Sequence, residues 1–317
     1  MDRGARAAAP QTPQGIFATI AAAASALVAQ PLLIVLPVAV DLWLWRGPRL
    51  SPEALTGPVA AVVAAQPEAD VRLAETLLRW GGEGDLGATV GWFVPSLLAA
   101  VEPAAVAQSV VRPTLAPGAG AALLLLLALV VLAAVGSMAF KTPLARMAGG
   151  EPPFGRGLGR AVVRNAARYL AFLGLVAAVV LAAAVVLGGG LAVAALAGID
   201  LIPLAGLVAS LAVVVGAVLL AFVAEAIAYA RVGPVAAARL SVAVVTAQPW
   251  PVVGLLLALW LALFTLPQVL TPLLATGVGT AAAIVCYAAV ATALALARVI
   301  FFAERLPKQA PVVGRGS

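Results

Sequence analysis

The sequence predicts an all-α polytopic membrane protein with about six transmembrane helices arranged as three hairpins, each preceded by an amphipathic or interfacial helix. Five long apolar blocks are nearly free of charge, and a stretch of about 20 apolar residues can cross a bilayer core of roughly 30 Å. Of the 317 residues, 64% are hydrophobic and only 10% are charged, whereas soluble domains carry about 25% charged residues. The five blocks are Gly118–Phe140, Tyr169–Ala197, Ile199–Ala230, Val252–Ala275 and Val278–Ala303.

A sixth apolar block, Ile16–Trp45, contains the first span. As one helix it would be about 45 Å long, which is too long for an untilted span, and Pro31 and Pro37 interrupt it. We therefore expect an interfacial first helix over residues 12–30 and a span from Pro31 to Trp45 that tryptophan anchors at the interface. The basic, then apolar, N-terminus is also similar to a cleaved signal peptide. The membrane-grade stretch that follows it favours retention over cleavage.

A short motif predicts that the three hairpins are copies of one unit. The tripeptide Ala-Gln-Pro precedes the first span at Ala29–Pro31 and a later span at Ala247–Pro249. About 15 helix-compatible residues come before the tripeptide in both places. The segment Gly155–Arg168 stands in the same position before the span from Tyr169, without the tripeptide. The turns of the second and third hairpins are expected at two segments, Gly198 with Asp200 and Thr276–Gly277 with Gly279.

The first hairpin instead carries a long insertion, Gly47–Pro117, which holds most of the acidic residues. Ser51-Pro52-Glu53 is typical of a helix N-terminus, with a capping residue, a first-turn proline and an acid. A second helix is expected to open at Pro67 and to stop at Gly81-Gly82. With a third stretch, Leu86–Val101, these elements predict a small helical cap that rests on the spans or the headgroups.

The basic residues predict the orientation. Fourteen of the 19 fall on one side of the predicted spans, and the other five lie in or beside the cap. By the positive-inside rule both termini are cytoplasmic and residues 51–117 are outside. The alanine- and arginine-rich composition indicates a bacterial source, and hence the bacterial cytoplasmic (inner) membrane. The predicted divisions are 1–50 (interfacial helix and first span), 51–117 (extracytoplasmic cap), 118–303 (five-span domain with cytoplasmic helices near 155–168 and 234–248) and 304–317 (cytoplasmic tail).

The composition also disfavours several reaction classes. The chain has no histidine, which is the commonest general base and metal ligand. Its single cysteine, Cys286, allows neither an intrachain disulfide nor a cysteine metal cluster. With only Lys141 and Lys308 available, a Ser-Lys dyad is not expected either. We therefore predict a protein that is not an enzyme and has no cofactor or metal. The arginines lack the interleaved aromatics of a stacking surface, so nucleic acid is not an expected partner.

Four arginines recur at four-residue spacing ahead of the third span: Arg156, Arg160, Arg164 and Arg168. Each helical step of four residues drifts by only about 40°, so the side chains share one helix face over about 18 Å. Such a face suits anionic lipid headgroups, with about 1 kcal/mol per basic residue near the membrane. It also suits a membrane-protein partner. Ordinary positive-inside charge that happens to be helical explains the same pattern, and both interpretations stay open.

Two carboxylates lie inside predicted spans. Glu225 is near the cytoplasmic end of the fourth span, and Asp41 is near the outer end of the first. A carboxylate in a span is by default a candidate for ion or proton coupling. Glu225 is about one and a half turns from Arg231, and Asp41 is close in sequence to Arg46. A local structural pair or cap is therefore favoured for each, with ion coupling as the alternative.

Two segments carry a resemblance to known proteins. Gly233–Ser241 reads Gly-Pro-Val-Ala-Ala-Ala-Arg-Leu-Ser, and Gln248–Gly254 reads Gln-Pro-Trp-Pro-Val-Val-Gly as it enters a span. The chain resembles a loose class of uncharacterised bacterial six-span proteins, which includes the membrane domain beside some glycerophosphodiester phosphodiesterases. In that class a short amphipathic helix with a serine precedes each hairpin. The resemblance implies a non-enzymatic membrane-organising or accessory scaffold. A permease or transporter subunit is the alternative.

Overall fold

The computed structural model describes residues 15–65, 71–101, 112–197 and 201–306, and within them the chain is almost entirely helical. The α-helices are α1 (Ile16–Ala29), α2 (Val35–Arg46), α3 (Glu53–Ala64), α4 (Val71–Glu83), α5 (Ala119–Ala148), α6 (Leu158–Leu196), α7 (Ile202–Leu219), α8 (Val223–Ala230), α9 (Pro234–Ala247), α10 (Pro249–Leu270) and α11 (Gly277–Glu304). The 3-10 segments are Pro31–Ile34, Leu86–Trp92 and Thr271–Ala275, and the strands are β1 (Arg49–Leu50) and β2 (Thr114–Leu115).

Within the described residues, five helical segments are long and apolar enough to cross a bilayer. They are Ala119–Ala148, Leu158–Leu191, Pro203–Ala230, Pro249–Ala275 and Gly277–Glu304. Ile16–Ala29 and Pro31–Arg46 are long and apolar enough only when they are taken together, and the two helical segments meet at a bend of 101°. The chain is therefore an all-α membrane protein with five or six spans, which confirms the predicted fold class.

The apolar block Ile16–Trp45 breaks at Gln30, directly before Pro31. Helix α1 lies against α11 and buries Thr19, Ala23 and Leu27 along one face. The other expected break does not occur. Pro37 lies in the first turn of α2, where a missing N–H is tolerated.

The Ala-Gln-Pro tripeptides have the same backbone geometry in both places. Gln30 ends α1 with φ −137° and ψ 64°, and Gln248 ends α9 with φ −143° and ψ 64°. Each follows a helix of 14 residues and precedes a proline that begins the next helical segment. The shared exit geometry supports the predicted repeat for these two units.

The third unit differs from the prediction. Residues 158–168 are helical, but they form the first turns of α6, which runs without a break from Leu158 to Leu196. The helix has 39 residues, or about 58 Å at 1.5 Å per residue. No proline occurs between its ends, so the ladder of backbone hydrogen bonds continues past Tyr169. The separate surface helix expected over residues 155–168 does not exist.

The apolar block Ile199–Ala230 is divided, which the sequence did not predict. Helix α7 ends at Leu219 and α8 begins at Val223. The buried Ser241 hydroxyl of α9 bridges the break, because its Oγ accepts from Phe222 N at 3.0 Å and donates to Leu219 O at 2.7 Å. The serine in the segment that carries the family resemblance thus satisfies backbone groups that the break leaves open.

The third hairpin turns where the sequence predicts. Helix α10 continues into a 3-10 turn, and Thr276 Oγ1 then accepts a hydrogen bond from Gly279 N at 3.1 Å to cap α11. The turn expected at Gly198 and Asp200 lies outside the described residues, as do residues 307–317 of the predicted tail.

The insertion folds as a closed unit. Helix α3 begins at Glu53 with Pro52 as its N-cap, one residue later than the predicted cap at Ser51, and Glu53 N donates to Ser51 Oγ at 3.2 Å. Helix α4 runs to Glu83, so Gly81-Gly82 do not stop it as expected. The unpredicted strands β1 and β2 pair in parallel and join the two ends of the insertion.

Part of the insertion enters the membrane domain rather than resting on it. Val94 and Leu97 are fully buried, and the Phe93 ring lies edge-on to Tyr169 of α6, with 6.2 Å between centroids. A Cβ on Gly136 of α5 would lie 3.4 Å from Val94, and Gly136 is about 26 Å along α5 from its first residue. Residues 93–98 therefore form a re-entrant segment between the spans.

Helices α5, α8 and α11 pack together at the end of the bundle away from the insertion. Phe222 stacks there on Phe301 and Phe302, with centroid distances of 5.9 and 5.7 Å. By contrast, the later part of α6 and the described part of α7 are mostly exposed apolar surface, which in a membrane faces lipid. The charged groups discussed below lie where α5, α8 and α11 meet.

Candidate functional site

Glu225 belongs to a buried cluster of three charges from three helices. Its Oε1 atom lies 3.0 Å from the Lys141 Nζ of α5 and 3.1 Å from the Arg298 Nε of α11. The Glu225 side chain is only 2% exposed. The Arg298 guanidinium also lies over the Phe222 ring, 5.5 Å from its centroid. The cluster therefore joins α5, α8 and α11 through one carboxylate.

The cluster does not match the local pair that the sequence favoured. Arg231, the expected partner of Glu225, instead donates to Glu151. The two cations leave one net positive charge after pairing with Glu225. The second carboxylate oxygen, Oε2, is buried and has no hydrogen-bond partner within the described residues.

The four arginines at four-residue spacing do not all have the same surroundings. Arg156, Arg160 and Arg164 line a pocket at the start of α6. Arg168 does not line it, because its Nη1 donates to the carbonyl oxygen of Arg231. This bond holds Arg231 in a left-handed conformation with φ of 56°, directly after α8.

The pocket has a volume of about 280 Å³ and is walled by three parts of the chain. We call it the basic pocket. It is lined by the end of α5 and the loop after it (Thr142, Ala145, Arg146, Gly149, Glu151), by the turn before α6 and its first turns (Arg156, Gly157, Arg160, Ala161, Arg164) and by the end of α8 (Ala228, Tyr229, Arg231). Five arginines and one glutamate give it four net positive charges. Such a charge density attracts anions strongly at short range.

Glu151 holds two of the five arginines. Its Oε1 and Oε2 atoms lie 2.9 and 3.0 Å from Arg231 Nη2, and Oε2 lies 3.2 Å from Arg146 Nε. By contrast, no ion pair involves Arg156, Arg160 or Arg164 in the described parts of the chain. Three guanidinium groups are thus available to an external anion.

The basic pocket lies at the ends of spans, next to the buried cluster. Helix α5 ends, α6 begins and α8 ends around it, so it sits at headgroup depth. Thr142 follows Lys141 in sequence, and Tyr229 is one helical turn beyond Glu225. The two charged sites are therefore neighbours along α5 and α8.

Asp41 has a different partner from the one that the sequence suggested. Its carboxylate is fully buried and accepts from Ser96 Oγ, from Leu97 N at 3.0 Å and from Leu98 N at 3.0 Å. Arg46 lies over the Trp45 ring instead, 4.2 Å from its centroid. Non-helical backbone at membrane depth must find partners within the protein, and Asp41 supplies them for the re-entrant segment.

The sequence identified Glu225, Asp41 and the arginine series but missed their partners. Glu151 is the one acid within the basic stretch from Lys141 to Arg168. This position could have identified it from the sequence as an ion-pair partner of nearby arginines. Lys141 and Arg298 gave none beyond their position at span ends. No group of three or more His, Cys, Asp or Glu side chains that could hold a metal ion occurs within the described ranges.

Comparisons with protein-family models, with curated proteins and with solved structures give no match to this chain. The candidate function therefore rests on the geometry of the two charged sites and of the re-entrant segment.

Proposed function

We propose that this chain is a non-enzymatic integral protein of the bacterial cytoplasmic membrane that binds anionic headgroups at the cytoplasmic face. In this role it works as a membrane-organising or accessory scaffold. The observation that carries the proposal is the basic pocket, in which arginines from three separate parts of the chain converge at the ends of the spans.

The chemistry of the pocket supports a headgroup ligand. Guanidinium groups pair with phosphate oxygens in bidentate geometry, and arginine is suited to interfaces because it is weakly hydrated. The site is slightly smaller than the range of roughly 300–1,000 Å³ for drug-sized ligands, so it fits a small polar headgroup with the acyl chains outside. The apolar outer face of α6, whose first turns line the pocket, would contact those chains, or a membrane-protein partner.

Removing the three available arginines tests the proposal. In Arg156→Gln/Arg160→Gln/Arg164→Gln, we expect binding of anionic lipid to fall by about tenfold to a hundredfold, because each basic residue near the headgroups contributes up to about 1 kcal/mol. The measurement is the lipid that co-purifies in nanodiscs made from mixed phosphatidylglycerol and phosphatidylethanolamine, quantified by mass spectrometry.

A matched control separates the pocket from general positive charge. Arg72→Gln/Arg79→Gln/Arg239→Gln removes the same charge from exposed arginines that do not line the pocket. It should retain the anionic lipid of the unmodified protein. Equal losses in both triple variants would show that charge alone, without the pocket, determines lipid binding, and would overturn the proposal.

A permease or transporter subunit is the second candidate. Two observations favour it, namely the unpartnered Oε2 of the buried Glu225 and the re-entrant segment that reaches Tyr169 of α6. Intramembrane carboxylates and re-entrant backbone recur where membrane proteins conduct or couple ions. The unmodified protein in proteoliposomes would then dissipate an imposed proton gradient, and Glu225→Gln protein that is still folded would not. Absence of flux in the unmodified protein would remove this candidate.

A further inference from the structure

The basic pocket already contains one anion, and that anion belongs to the protein. The Glu151 carboxylate contacts Arg231 at 2.9 and 3.0 Å and Arg146 at 3.2 Å. Carboxylate and phosphate oxygens form the same kind of charge-assisted hydrogen bond with guanidinium groups. Glu151 thus marks a position within the pocket where an oxyanion is stable.

The position is open to exchange. The Glu151 side chain is 45% exposed, so its ion pairs are weakened by water and salt. It lies on the loop between α5 and α6, next to Gly150, which has a φ of 77°. The Glu151 N–H donates to the Arg146 carbonyl oxygen at 2.8 Å. The carboxylate can therefore leave its position by rotation of the side chain while the backbone of the loop stays in place.

Charge and oxygen count indicate which anion would take its place. With Glu151 displaced, five guanidinium groups face the pocket. A phosphodiester offers one negative charge and two non-bridging oxygens. A phosphomonoester offers about −1.5 to −2 charges at neutral pH and three acceptor oxygens, which suits several arginines at once.

We propose that the basic pocket binds a phosphomonoester group, which replaces the Glu151 carboxylate between Arg146 and Arg231. This inference rests on the proposed function and gives its ligand a chemical class. The group can come from a lipid headgroup, as in phosphatidate, or from free phosphate, because the arginines contact only the phosphate.

The test measures affinity with Glu151→Gln, which keeps the side-chain shape and removes the competing charge. We expect this variant to bind vesicles containing phosphatidate on the order of tenfold more tightly than the unmodified protein does, since two arginines are released. Binding is measured for the full chain in nanodiscs at a fixed ionic strength of about 0.15 M. Three separate titrations use vesicles with 10% phosphatidate, vesicles with 10% phosphatidylglycerol, and inorganic phosphate. Glu151→Asp retains the charge and should behave like the unmodified protein. Glu83→Gln, an exposed acid of the insertion, makes the same change in net charge outside the pocket and should have no effect.

Each outcome decides the inference. Preference for phosphatidate over phosphatidylglycerol, increased by Glu151→Gln and lost in Arg156→Gln/Arg160→Gln/Arg164→Gln, supports a lipid phosphomonoester. Competition by inorganic phosphate at comparable concentration supports free phosphate as the source. Equal binding of the two lipids overturns the inference. The proposed function still stands in that case if Arg156→Gln/Arg160→Gln/Arg164→Gln loses binding to both lipids. Unchanged binding in Glu151→Gln overturns the exchange with Glu151.

Discussion

Glu225→Gln is expected to lower the free energy of unfolding by about 3–5 kcal/mol, because it leaves two largely buried cations without a counter-charge. The Lys141 and Arg298 side chains are 16% and 28% exposed, and both contact the same Glu225 oxygen. Neither can reach another acid among the described residues within ion-pair distance. The measurement is equilibrium unfolding in mixed micelles titrated with a denaturing detergent.

Glu151→Gln is the matched control for this variant, because Glu151 also contacts two basic side chains. Glu151 is 45% exposed and Glu225 only 2%, and exposed ion pairs contribute at most about 1 kcal/mol. We expect little change in stability for Glu151→Gln. Adding Lys141→Met to Glu225→Gln should recover part of the lost stability, since one unpaired cation is removed. Equal stability of the Glu225→Gln variant and the unmodified protein would show that the cluster does not hold α5, α8 and α11 together.

Asp41→Ala is expected to release the re-entrant segment and to cost about 4 kcal/mol or more. The change removes the acceptor of three hydrogen bonds, from Ser96 Oγ, Leu97 N and Leu98 N. A hydrogen bond to a charged group contributes about 1.5–3 kcal/mol, and a buried donor left without an acceptor costs about 1–3 kcal/mol. The readout is hydrogen exchange at residues 93–98 in the purified protein, together with the unfolding free energy.

Graded variants distinguish this anchor from a general effect of mutating the first span. Ser96→Ala removes one of the three bonds to Asp41, together with the bond that Ser96 Oγ accepts from Ala99 N, and should have the smallest effect. Asp41→Asn keeps one acceptor oxygen and should be intermediate. Exposed Glu83→Gln should change neither readout. Slow exchange at residues 93–98 in Asp41→Ala would mean that apolar packing alone holds the segment in place.

The predictable part of this fold follows from short-range signals. The turn at Thr276, the start of α3 after Ser51 and the sharp exits at Gln30 and Gln248 are each specified by residues within one or two turns. Where a signal was absent the prediction failed. No proline separates residues 155–168 from the span that follows, so α6 is continuous. The break before Val223 depends on Ser241, which is 19 residues from Phe222 in sequence.

The candidate site shows the same division. Periodicity alone placed Arg160 and Arg164 on one face of α6, whereas Arg156 lies in the turn before the helix and reaches the same pocket from there. It could not show that Arg168 turns to the Arg231 carbonyl, because that contact spans 63 positions. Nor could it find the pocket wall opposite the arginines, which comes from two other parts of the chain.

The sequence by itself determined the class of the protein, the positions of most spans, and which carboxylates and arginines stand out from the apolar background. It could do so because a bilayer imposes length and apolarity on each span separately, without reference to any other span. Only the tertiary structure decided what those exceptional residues do. Lys141 and Glu225 are 84 positions apart, Glu151 and Arg231 are 80 apart, and Asp41 and Ser96 are 55 apart. Such pairs form only when helix packing brings distant segments together. Burial makes the pairings of Glu225 and Asp41 obligatory, because an unpaired charge in the bundle is too costly, whereas the exposed pair of Glu151 and Arg231 can exchange.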